Sequence, residues 1–110
     1  MHEEHYEYLI GAEARIRVRF SLQRGRVLEF VAQLEWLDGK KWNPVVRYDT
    51  AHGFPHCDRY NPVGSTSKHE PLPVSDVGEA LTYAIATIKR DWSELCEPFR
   101  RKKKRSPKGR

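Results

Sequence analysis

Residues 45 to 58, VVRYDTAHGFPHCD, bring Arg47, Asp49, His52, His56, Cys57 and Asp58 into one short stretch broken by Gly53 and Pro55. Imidazoles, carboxylates and a guanidinium are the parts that metal-independent RNA cleavage requires. That reaction needs a base for the 2′-hydroxyl proton, an acid for the leaving oxygen and a cation for the charge that builds on phosphorus. Histidine exchanges protons near neutrality, so His52 and His56 are the candidate base and acid. Arg47 can grip a phosphate bidentately, and Asp49 can fix an imidazole tautomer. Asp58, with Lys68 and His69 on the following element, completes the set as candidate substrate contacts.

Two other uses compete for these residues. A zinc set of His52, His56, Cys57 and Asp58 would want its histidines four apart on one helix face. Gly53 and Pro55 rule out that helix, and on a strand Cys57 and His56 would face opposite ways. No metal and no cofactor is therefore expected. The second use is structural: Asp49 and Asp58 cap turns, Arg47 pairs with them across strands, and the histidines belong to a surface loop.

The flanking sequence supplies the elements that position the cluster. RIRVRFSL alternates, with Ile16, Val18, Phe20 and Leu22 on one side and Arg15, Arg17, Arg19 and Ser21 on the other, the period of a half-buried strand. VLEFVAQLEW repeats the pattern, with Leu28, Phe30, Ala32, Leu34 and Trp36 inward and Glu29, Gln33 and Glu35 outward. A turn at Gly25 joins the two, and outward arginines opposite outward glutamates favour their pairing. Asp38-Gly39 marks a second hairpin into KWNPVVRYD, where Pro44 demands an edge or a bulge. Trp42, Val46 and Tyr48 are expected inward. HCDRY reads as a fourth strand and TSKHEPL as a short fifth, with Thr50–Pro55 as the loop most suited to carry function. From Val77 to Phe99 the apolar spacing changes to three and four, an amphipathic helix capped by Ser75 or Asp76 and ended by Pro98 and the basic run. The fold expected is α+β: an antiparallel four- to five-stranded meander with one long C-terminal helix on one face. A single domain covers 1–99, with 1–14 irregular or a short helix, followed by a disordered basic tail at 100–110.

The chain has 110 residues, a formal net charge of +5 and no apolar run long enough for a bilayer. Its basic character is concentrated in RRKKKRSPKGR. Taking the eight basic side chains of residues 100–110 from the total of twenty leaves twelve against fifteen acids, so residues 1–99 carry −3. The tail residues Arg100, Arg101, Lys102, Lys103, Lys104 and Arg105 are candidate nucleic-acid contacts through salt-sensitive phosphate neutralisation. Cys57 and Cys96 are too few for a disulfide scaffold. With an acidic N-terminal stretch unlike a secretory leader, a cytoplasmic protein is expected.

The run VVRYDTAHGFPHCD, then KHEPL, then EALTYAIATIKRDW, resembles a family of small uncharacterised prokaryotic proteins over residues 15–99. More distantly, the arginine–tyrosine–aspartate run before a histidine-bearing turn is similar to TumE-like toxins of toxin–antitoxin pairs. That second resemblance implies a small toxin acting on RNA, with Arg47, Asp49, His52 and His56 as the site and a cognate antitoxin as partner. The expectation is thus a toxin-like, metal-independent ribonuclease. The alternative is a non-enzymatic, nucleic-acid-associated binding module, or a homodimer formed through an exposed edge strand.

Overall fold

The computed structural model describes residues 2–51 and 53–105, apart from the side chains of 67–69 and 103–105. Six strands follow in chain order: β1 (His2–Gly11), β2 (Ala14–Gln23), β3 (Arg26–Asp38), β4 (Lys41–Asp49), β5 (His56–Tyr60) and β6 (Thr66–Pro71). Each pairs antiparallel with the next, so the spatial order is also β1 to β6. Helix α1 (Val77–Leu95) and a short α2 (Glu97–Arg105) close the chain. This is the α+β meander expected, with one strand more.

The turns explain the register. Gln23 pairs with Arg26, leaving the two-residue loop Arg24-Gly25 with φ of 53° and 78°. Two successive positive φ values match the right-handed twist of the strands they join. At the next hairpin Asp38 pairs with Lys41 around Gly39, whose φ is 65°.

Helix α1 lies on one face of the sheet. Its Ala80, Leu81, Ala84, Thr87 and Ile88 are buried over Ile16, Val18, Phe30, Ala32, Leu34, Val46 and Tyr48. Full burial of a side chain such as Ile16, Leu34 or Ile88 contributes roughly 1.5–3 kcal/mol. The Asp76 carboxylate accepts the Glu79 backbone N–H at 2.9 Å, capping the first turn. No helix among the described residues is long and apolar enough to cross a membrane.

Four local expectations are corrected. The lead-in 1–14, read as irregular or helical, holds strand β1: it stands at the sheet edge, exposed on both faces over most of its length, so burial imposed no alternation on it. Trp42, expected inward, faces outward under the Arg15 guanidinium, 4.1 Å from its ring centre. The cause is a bulge: Leu34 pairs with Val46 and Glu35 with Pro44, so Val45 is the extra residue and everything before it changes side. Pro44 tolerates the place because β5 pairing begins only at Val46. A second irregularity, with Ser21 opposite Glu29 and Leu22 opposite Val27, makes Leu28 the extra residue and leaves it 43% exposed. Last, Pro98 sits in the first turn of α2, where a missing N–H costs nothing, and helix continues through the basic run to Arg105. Residues 106–110 lie outside the described residues.

Candidate functional site

The sheet face turned away from α1 is polar, and its residues fall into rows across the strands. In one row Glu7, Arg17, Gln33, Arg47, Asp58 and His69 stand opposite one another from β1 to β6. In the next, His5, Arg19, Val31, Asp49 and His56 run from β1 to β5. A third sets Leu9, Arg15, Glu35 and Pro44 side by side.

The cluster expected around the β4–β5 loop is assembled in two of these rows. His56 Nε2 lies 2.8 Å from Asp49 Oδ1 and 3.7 Å from Asp58 Oδ2. His56 Nδ1 faces the Phe54 carbonyl at 3.2 Å. Arg47 Nε donates to Asp49 Oδ2, and the Ala51 backbone N–H donates to Asp49 Oδ1 at 3.2 Å. The loop is pinned further by Thr50, whose hydroxyl accepts the Phe30 backbone N–H at 3.1 Å. Beside the cluster stands half-buried Tyr60, whose hydroxyl burial pushes up, with Arg47 lowering it and Asp58 raising it.

Proximity is therefore as expected, but exposure is not. Only 1% of His56 and 3% of Asp49 are accessible. Oxygen acceptors surround both ring nitrogens of His56, so the ring acts here as a donor. Arg47 and His56 set against Asp49 and Asp58 make a lattice in which nitrogen groups alternate with carboxylates. Its products are rigidity and loop placement.

Asp49, His56 and Asp58 also bring three potential donors within 4.8 Å of one another. The groups are already engaged: Asp49 receives N–H groups on both oxygens and His56 Nε2 points at carboxylates. Cys57, weighed as a zinc ligand, is on the opposite face, buried against Tyr48. Burial pushes its thiol up, with Arg59 opposing, which is poor preparation for a metal thiolate.

The remaining expected residues are scattered. His52 lies outside the described residues, as do the side chains of Lys68, His69, Lys103, Lys104 and Arg105. In register, His69 follows Asp58 in its row, while Lys68 is opposite Arg59. Arg100 packs over the rings of Trp36 and Trp92, 5.3 and 5.9 Å from their centres, and donates to the Ser93 carbonyl and to Glu97. Lys102 donates to the Pro62 carbonyl at 3.2 Å, and Arg101 is exposed.

A feature not singled out from sequence lies beside the buried lattice. An open trough of about 710 Å³ on the polar face is lined by His5, Glu7, Arg17, Arg19, Val31, Gln33 and Arg47, with Tyr6 and Val18. A second hollow of about 250 Å³ continues it toward Thr50 and Ala51, sharing Arg19, Val31 and Arg47. Arg17, Arg19 and Arg47 line the trough with Glu7, Arg47 already donating to Asp49. The Arg17 and Arg19 side chains are more than half exposed, and their ion pairs are long: Arg17 to Glu7 at 3.4 Å and to Glu35 at 3.6 Å, Arg19 to Glu3 at 3.9 Å. The alternation of arginines along β2 was legible in the sequence. What it lacked was the partner strand that turns them into a lining, because β1 went unread.

A family description, Domain of unknown function (DUF7718), matches residues 1–105. No curated protein and no solved structure matches the chain.

Proposed function

Because the chain belongs to the DUF7718 family, whose description names no activity, we propose a function from the site itself: a non-enzymatic module that binds single-stranded nucleic acid along its polar sheet face. The observation that carries this reading is the convergence of Arg17, Arg19 and Arg47 on one open trough. Exposed ion pairs at 3.4–3.9 Å are worth about 0–1 kcal/mol. A phosphate that accepts two guanidinium N–H bonds makes a stronger, charge-assisted contact and displaces them. Gln33, between Arg17 and Arg47 in its row, adds a neutral donor and acceptor.

The ribonuclease reading draws less support. Its chemistry needs an imidazole in contact with the substrate hydroxyl, and His56 is enclosed behind Asp49. Toxin activity toward RNA would then fall to another imidazole, His52 or the exposed His5 of the trough.

Fluorescence anisotropy with a labelled single-stranded RNA tests the proposal. Binding is expected to weaken with salt, and Arg17→Ala with Arg19→Ala should weaken it by about tenfold or more. That pair should also reduce the slope of log affinity against log salt by about 1.4, at about 0.7 per lost phosphate contact. Unchanged binding in the double variant, with loss on deleting residues 100–110, would transfer recognition to the tail. Cleavage of the RNA, abolished by His52→Ala or by His5→Ala, would restore the ribonuclease reading.

A further inference from the structure

Strand β1 has a neighbour on one side only, so ten residues of backbone at its outer edge lack a ladder partner within the described sheet. Natural edges of this length are blunted by charged side chains, lysine above all, by proline, a central bulge or a covering element; of these β1 has only Glu3, Glu4 and Glu7, which a register that opposes no like charges accommodates. HEEHYEYLIG contains neither lysine nor proline, and its irregularity is confined to the end, between Leu9 and Gly11. Apolar exposure concentrates here as well. Of the six large apolar side chains exposed among the described residues, three are Tyr6, Tyr8 and Leu9. Tyr6 and Tyr8 stack at 6.0 Å on the helix side of the strand, Tyr8 beneath Lys89 of α1.

We infer that two copies of this chain pair antiparallel through their β1 edges, about a two-fold axis at Tyr6, into one twelve-stranded sheet. A two-fold axis normal to the sheet keeps each residue on its own face, so pairs share parity. With Tyr6 opposite Tyr6, His5 stands opposite Glu7 of the second copy, Glu4 opposite Tyr8, Glu3 opposite Leu9 and His2 opposite Ile10. No like charges meet. Centring on Glu4 or on Glu7 would set that carboxylate against itself, and centring on His5 would set Glu3 against Glu7, each destabilising. Centring on Tyr8 opposes no like charges but pairs only residues 5–11, a shorter ladder with the Leu9–Gly11 irregularity beside its centre rather than at its end. Charge and ladder length together select one register. The tyrosines of both copies gather in the gap between the two α1 helices. His5 and Glu7 line the trough, so the two troughs become neighbours on one face. The pairing itself does not depend on the trough having a ligand.

Analytical ultracentrifugation of the full chain should give twice the chain mass, falling to the single mass in Tyr6→Lys. Register is read by cysteine scanning, since Cys57 and Cys96 are buried. Directly opposite residues have Cβ atoms about 4.5–5.5 Å apart, close to disulfide reach, so Tyr6→Cys should cross-link to itself under mild oxidation. Glu4→Cys should not, because its two copies stand four residues, about 14 Å, out of register. A wild-type chain of single mass over the whole accessible concentration range overturns the inference, whatever other protein it may later be found to bind. So does cross-linking of Glu4→Cys as readily as Tyr6→Cys. If Tyr6→Lys fails to fold by circular dichroism, the cysteine pair decides alone.

Discussion

Asp49 and Asp58 share His56 Nε2 as a common neighbour at 2.8 and 3.7 Å. Truncating the ring removes one partner from a carboxylate only 3% exposed, leaving Asp49 with Arg47 and the Ala51 N–H. Leaving a buried acceptor short of one of its donors costs about 1–3 kcal/mol. His56→Ala should lower the urea midpoint accordingly, and Asp49→Asn on top of it should cost clearly less than the two singles summed, with a coupling of about 0.5–3 kcal/mol. Additive losses would mean that the lattice does not act as a unit. The meeting of these residues could be read from the sequence, because a short loop between paired strands brings Asp49 and His56 to the same level. Their burial could not. It depends on the loop bringing the Phe54 carbonyl to Nδ1 and the Phe54 ring to 5.7 Å from the imidazole, and nothing in the order of the residues states that.

Among elements, the contact between β1 and α1 is the tightest constraint on backbone placement. A Cβ at Gly11 would lie 2.5 Å from the Trp92 ring, closer than side chains tolerate. Gly11→Ala should therefore destabilise by about 1–3 kcal/mol, the cost of overpacking. Trp92→Leu should recover part of that loss in the double variant, as measured by chemical denaturation. Equal penalties for Gly11→Ala in both backgrounds would show that the ring is not what excludes the methyl group. Strands β2 and β3 and the stripe of α1 were legible because each buries one face and leaves the other in water, so periodicity records their setting. Strand β1 buries little and its sequence carries no such record. Pro44 announced a bulge, but which residue would be looped out depended on pairing with β3, and so the facing of Trp42 came out reversed.

For the molecule as a whole, the interior holds acids that resist ionising. Burial raises Tyr48 far above the usual phenol range, raises Cys57, and pushes the Cys96 thiol up to about 11. An unfolded chain releases a thiol proton near pH 8.5, so between about pH 8.5 and 11 the folded state binds more protons than the unfolded one. This contribution is fully present below that window and is lost as pH rises through it. Urea midpoints should decline steadily above about pH 8.5, and Cys96→Ala should shallow the decline while lowering the plateau slightly for the missing sulfur. A midpoint independent of pH across the window would contradict the burial of these groups.

Since spatial order and chain order coincide, each strand emerging from the ribosome finds its neighbour already present, and closing such short loops is fast. The greasy side, however, waits for a helix that is synthesised after all six strands. Until Val77–Leu95 arrives, Ile16, Val18, Ala32 and Leu34 have only water or another nascent chain to meet. The period of greatest risk for this protein is thus the interval in translation after the sheet has zipped and before its cover exists, when chaperone capture or self-association competes with completion.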